Sequence, residues 1–265
     1  MPQTDQTKPK SRRKVLVYAI LAVFVLPLVA RAALYAMGDA PRSWRDADWS
    51  STGSLPAARD FPDARVIVYS GRAGSWKGVV AVHSWVVVKA RNAPAWTRYD
   101  VVGWGNPVRI NGWAPDGRWY GTPPTIVADI RGAAAEALIP RIDATVRGYQ
   151  YANAGDYRAW PGPNSNTFVA AVLRAAPEIG AVMPPNAVGR DFRARPYAGL
   201  TDSGTGIEAS LWGILGVKIG WVEGVEVNLL GLVAGFDLRH PAVKVPGFGR
   251  LGVDAAVHTA TAAAR

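Results

Sequence analysis

The chain has 265 residues, 49% of them apolar and 19% charged, with no cysteine and a formal net charge of +10. Length and apolar content exclude a disordered chain, a collagen-like repeat and a polytopic transporter, and they suffice for one substantial core. The missing cysteines exclude a disulfide framework, a thiolate metal site, an iron–sulfur cluster and a catalytic thiol.

Lys8, Lys10, Arg12, Arg13 and Lys14 concentrate positive charge in a basic tail, residues 1–14. The rest of the excess is mostly arginine scattered singly. Nucleic-acid binding normally leaves a stripe or run of Lys and Arg, so no nucleic-acid partner is expected. Val15 to Ala30 then carries no charge, and past Arg31 the apolar stretch continues to Met37, 23 residues in all. About 20 residues cross a bilayer core. Arg31 lies near the far end, where it can snorkel, and Pro27 is tolerated in lipid. Basic residues before the span and a mixed flank after it predict a cytoplasmic N-terminus. The competing reading is a cleaved signal, since Ala30-Arg31-Ala32 has a processing-site form and Ser11-Arg12-Arg13 resembles a twin-arginine opening. Either reading carries the bulk of the chain across a bacterial inner membrane, into the periplasm or another extracytoplasmic space.

Residues 38–64, rich in Ser, Pro, Asp and Arg, read as a juxtamembrane linker lying against something. The exported domain is expected over 65–255 with a tail at 256–265. Its strand signals are Arg65–Ser70, Gly78–Lys89, Tyr99–Trp104, Val108–Ile110 and Arg118–Tyr120, separated by Pro- and Gly-containing turns. Helical spacing follows over Arg131–Tyr149, with Pro140 breaking or restarting it, and again from Phe168 to Ala176. Alternation returns at Gly216–Val222, where Glu223-Gly224 and Val225, Val227 and Leu229 suggest a hairpin. Charges at Lys218, Glu223, Glu226 and Asp237 rule out a second membrane span there. Strands, then helices, then strands indicate an α+β domain behind one N-terminal transmembrane helix.

One constellation is suited to chemistry. On an extended strand His83 shares a face with Ala81, Trp85 and Val87. The plain reading is a packed histidine satisfied by a backbone carbonyl. Asn164 or Ser165 stands where the next helix opens, which suits an N-cap and equally a nucleophile, because free amides and the helix dipole favour negative charge there. A serine needs a base as well, and His83 is the candidate.

Val82-His83-Ser84-Trp85 followed by Asn164-Ser165-Asn166-Thr167-Phe168-Val169 resembles the circularly permuted papain-like proteins, the NlpC-type and lecithin–retinol acyltransferase-like group, over about residues 65–176. That resemblance implies a permuted papain-like fold of antiparallel sheet plus helices. It also implies a hydrolase or acyltransferase acting on peptide, isopeptide or lipid acyl bonds. Ser165 stands where that group has its nucleophilic cysteine. The implied catalytic set is His83, Ser165 and a third polar residue, for which Asp100 is preferred over Asn106 or Arg109 because a carboxylate orients and stabilises the imidazole. Trp85, Asn164 and Asn166 are the implied substrate contacts. The segment Trp160-Pro-Gly-Pro-Asn-Ser-Asn-Thr-Phe168 and the anchor also resemble a family of bacterial single-span proteins without an assigned activity.

The serine-for-cysteine difference leaves a second expectation, a catalytically inactive binding or scaffold domain of the cell envelope. Partners expected are the membrane, through the N-terminal helix, and an envelope peptide, glycan or lipid. No metal or cofactor is expected: His, Asp and Glu show no ligand spacing, and Gly247-x-Gly249-x-x-Gly252 lacks the strand-to-helix context of a dinucleotide site. Most of the eleven tryptophans are expected to be packing residues.

Overall fold

The computed structural model describes residues 10–38, 41, 43–252 and 258–261. The expectations for residues 1–9 and for the domain boundary at 255 fall outside them.

The N-terminal apolar stretch is one unbroken helical rod: α1 (Lys10–Ile20), a π-helical turn (Leu21–Val25) and α2 (Leu26–Ala36). Pro27 sits at the start of α2, next to the π turn, where its missing N–H is accommodated without a break. The 25 residues Arg12–Ala36 are long and apolar enough to cross a membrane. One face of the second half is half-buried against the body, at Pro27, Leu28, Arg31 and Tyr35, and Phe24 one turn earlier is buried. This spacing of three and four residues is a single helical stripe. The Arg31 guanidinium lies 5.9 Å from the Phe248 ring, and the Arg72 guanidinium 5.5 Å from that of Tyr35.

The body is α+β with two sheets. The first contains β1 (Arg65–Arg72), β2 (Val82–Lys89), β3 (Thr97–Val101), β4 (Val108–Ile110) and β5 (Thr125–Arg131), with β13 (His258–Thr261) at its edge. Its order is β13-β5-β1-β2-β3-β4, antiparallel except where β13 runs parallel to β5. The expected strand at Gly78–Lys89 is shorter, because residues 75–79 form a 3₁₀ turn, and Arg118–Tyr120 makes only isolated bridges. The strand β5 was not signalled by the sequence, and the expected tail supplies β13.

Both faces of this sheet are covered, which is why β1 and β2 read as nearly continuous apolar runs. On one face Val66, Val68, Val86 and Val88 pack under α3 (Gly132–Arg147) and α4 (Ser165–Ala175). Pro140 lies on the exposed side of α3, and the helix runs through it. On the other face Ile67, Tyr69, Trp85 and Val87 meet Trp96 and Trp119, joined by linker residues Trp49, Leu55 and Phe61. The linker is fastened down. Asp116 Oδ1 accepts from Ser51 Oγ at 2.6 Å, and Oδ2 from Thr52 Oγ1, the Ser54 N–H and the Leu55 N–H at 2.8–3.3 Å.

The second sheet is an antiparallel meander over residues 197–252. Its strands are β6 (Tyr197–Leu200), β7 (Gly206–Leu211), β8 (Leu215–Gly220), β9 (Gly224–Leu229), β10 (Leu232–Asp237), β11 (Ala242–Val245) and β12 (Gly249–Gly252). The hairpin expected at Glu223-Gly224 is present, Gly220 pairing with Gly224.

Candidate functional site

His83 is the second residue of β2, and strand alternation sends it to the aromatic face with Trp85 and Val87, as the sequence indicates. Asp100 on β3 meets it there, with His83 Nε2 2.8 Å from Asp100 Oδ1. Arg98, two residues earlier on the same face, clamps the same carboxylate from Nε to Oδ2 at 2.6 Å and from Nη2 to Oδ1 at 3.2 Å. Its Nη1 donates to the Ala114 carbonyl at 2.7 Å, and its guanidinium lies 4.0 Å from the Trp85 ring. The His83 imidazole lies flat on Trp119, centroids 3.6 Å apart and planes 5° apart. All of these side chains are buried.

Burial lowers the His83 pKa, against the hydrogen bond and charge of Asp100, so the ring is neutral near pH 7. For Asp100 burial pulls upward, but Arg98 and the His83 hydrogen bond outweigh it and hold the carboxyl below the usual carboxylate range. An ionised carboxylate only accepts. Nε2 therefore carries the imidazole hydrogen and Nδ1 the lone pair.

The start of α4 is pinned by two asparagines. Asn164 Oδ1 accepts from the N–H groups of Asn166 at 2.9 Å and Thr167 at 3.1 Å, while Thr167 Oγ1 accepts from the Asn164 N–H at 3.1 Å, a reciprocal capping box. Asn164 Nδ2 donates to the carbonyls of Ala159 and Val188, both at 3.0 Å. Asn166 Nδ2 donates to those of Val82 at 2.8 Å and Val188 at 2.9 Å, tying the helix mouth to the residue before His83. Asn166 Oδ1 is buried without a hydrogen-bond partner. The Trp160–Pro161 and Gly162–Pro163 peptide bonds are cis.

His83, Asn164, Ser165 and Asn166 line a single open cavity of about 330 Å³. The sequence thus brings together His83 and Asp100, and separately the asparagines and Ser165, around one space. It does not bring Ser165 into hydrogen bond with His83. Ser165 Oγ has no hydrogen bond to any described residue, and the His83 side chain leaves the sheet on the face opposite α4. Asp100 meets the imidazole, whereas Arg109 donates to the Trp104 carbonyl at 2.6 Å. Trp85 is fully buried, donates to the Pro115 carbonyl at 3.0 Å, and lies outside the cavity wall. The aromatic wall consists instead of Trp76, Trp104, Trp119, Tyr120, Tyr157 and Trp160. Nothing in the spacing of the eleven tryptophans singles these out.

The cavity wall runs from Ala73 to Val188. Residues 63–192 match the family described as "Protein of unknown function (DUF3750)". No curated protein and no solved structure matches the chain. The DUF3750 region therefore contains the His83–Asp100–Arg98 cluster, α4 and the whole cavity, while the membrane-length helix and the second sheet lie outside it.

Proposed function

We propose that the protein is a membrane-anchored binding protein of the bacterial envelope, whose cavity takes an amphiphilic ligand with an apolar body. The observation that carries this reading is the wall itself: six aromatic side chains around a space of about 330 Å³, joined by a few polar residues, Lys77, His83, Asn164, Ser165 and Asn166. The Asp100 contact and the Trp119 stack hold the imidazole rigidly, which suits orienting a ligand's polar end. The rod Arg12–Ala36 is the anchor, with Arg12, Arg13 and Lys14 on the cytoplasmic side and the body across the membrane.

A second reading has a specific observation in its favour. His83 Nδ1 and Ser165 Oγ are both free of partners within the described residues, and both residues line the same space. An acyl ligand seated between them would meet a hydroxyl on one side and an imidazole acceptor on the other, the elements of acyl transfer, with Asp100 orienting the imidazole.

Two probes separate the readings on the full chain in lipid nanodiscs. A diazirine-bearing fatty acid is expected to crosslink to residues 73–83, 101–104 and 157–166, and to lose those crosslinks in Ala81→Trp and Ala159→Trp. Crosslinks confined to the helical rod overturn the binding reading. A fluorophosphonate that labels the wild type but not Ser165→Ala establishes the catalytic reading, and failure to label Ser165 removes it.

A further inference from the structure

The second sheet is built with its polar side chains inward. Glu208, Lys218 and Glu226 are cross-strand partners on its buried face, and Lys244 continues their row on β11 beyond Gly235. They are paired there: Lys218 Nζ to Asp191 Oδ1 at 2.6 Å, Asn228 Nδ2 to Asp191 Oδ2 at 3.0 Å, and Glu226 to both Arg190 and Lys244. The outward face is the apolar one. A single row crosses all seven strands, from Leu200 through Ile207, Ile219, Val225, Phe236 and Val243 to Leu251. Every member but Val225 is 46% to 64% exposed. Val217 with Val227, and Leu211 with Leu215, extend it on the neighbouring rows. An antiparallel sheet in water keeps its apolar side on the core, and a continuous apolar face of this size marks a contact surface.

The helical rod indicates what covers it. The rod's first contact with the body is Phe24, and the turn Leu21–Val25 packs against β10 of this same sheet, where Ala234 on the apolar face is buried. Only Val15 to Val23 lie between the last basic residue and that contact, all of them exposed. Nine residues rise about 14 Å at 1.5 Å each, under half of a hydrocarbon core of about 30 Å. The helix therefore cannot span while its body stays outside the bilayer. The rest of the crossing falls where the helix is already packed on the body.

We infer that the apolar face of β6–β12 lies against the hydrocarbon of the leaflet crossed by α2, so that the body is sunk into that leaflet beside its own anchor. This rests on the reading of Arg12–Ala36 as a span, and goes beyond it. The strands do not cross the bilayer: six residues fall short of the nine to eleven a tilted strand needs, and among the described residues the sheet is open, with β6 and β12 at its edges. Trp212 and Trp221, exposed in the turns at opposite ends of β8, are placed to sit at headgroup level.

A chain without cysteine allows clean single-site spin labelling of the whole protein in vesicles of phosphatidylethanolamine and phosphatidylglycerol. Nitroxides are placed at Ile219→Cys and Val217→Cys on the face, Val17→Cys on the free half of the rod, and Arg59→Cys as an exposed control. Collision rates with oxygen and with a water-soluble nickel chelate are then compared. The expected result is an oxygen-to-nickel ratio at Ile219 and Val217 roughly tenfold above that at Arg59, as for a site in hydrocarbon. Nickel access at Ile219 with Val17 in lipid overturns the embedding and leaves the anchor standing. Nickel access at both removes the anchor as well. Shielding of Ile219 from both relaxants overturns the proposal in favour of a protein cover, and dipolar broadening between labels identifies that cover as a second copy.

Discussion

His83 is held between burial, which favours the neutral ring, and the Asp100 carboxylate, which favours the charged one, and burial prevails. The folded-state pKa is thus below the ordinary value near 6.5, and between the two the unfolded chain binds the extra proton. The stability due to a neutral His83 is complete above pH 6.5 and is lost as pH falls below it, at up to about 1.4 kcal/mol per pH unit. Denaturant titrations from pH 7.5 to 5 are expected to show falling stability, with a shallower slope in His83→Gln. An unchanged slope removes His83 as the source. Asp100 is preferred beside His83 because a carboxylate suits an imidazole, but the pairing of β2 with β3 that brings the two side chains into contact is not written in the sequence. The Arg98 clamp and the Trp119 stack are not legible there either, since Arg98 looks like any solvated strand arginine and Trp119 stands in a segment read as a strand. Asn164 and Asn166 were expected to touch substrate, but their amide donors are committed to backbone carbonyls.

At the scale of elements, the opening of α4 was the clearest signal, and its cap is where the sequence placed it. Its dependence on Gly189 was invisible, because that residue approaches from 25 positions away. Gly189 has φ +94°, and a Cβ there would stand 2.3 Å from Asn164 Nδ2. Gly189→Ala is expected to cost about 2 kcal/mol or more through strain and collision with the cap. Asn164→Ala alone is expected to cost about 1–2 kcal/mol. Because the two changes meet at one side chain, Gly189→Ala should cost less in an Asn164→Ala background. A double-mutant cycle by urea unfolding measures this, and strict additivity would rule out the contact. The strand β5 went unread for a related reason. Asp129 interrupts its apolar run, yet that carboxylate is buried against Arg65 at 2.7 Å and supplies the strand's fixed pairing.

For the whole molecule, strand alternation was legible over Gly216–Val222 and Val225–Leu229, but alternation alone does not say which face is inside. The outcome here depends on Arg190 and Asp191, which arrive from the DUF3750 region to pair with Glu226 and Lys218. The ordinary ranking of core substitutions is therefore reversed in this sheet. Glu226→Ala leaves Arg190 and Lys244 buried without their carboxylate and is expected to cost about 3–5 kcal/mol. Its outward neighbour Val227→Ala is expected to cost less than about 1 kcal/mol in detergent. Thermal unfolding of the two variants in the same micelles decides the matter, and a larger loss at Val227 would reverse the assignment of faces.

The hydrogen bonds that gather Ser51, Thr52, Ser54 and Leu55 around Asp116 have a spatial consequence. They fix residues 51–55 to the loop that carries Asp116, so this part of the linker moves with the body. With the rod itself packed on the body from Phe24 to Tyr35, the proposed anchoring would hold the cavity at one set depth relative to the bilayer.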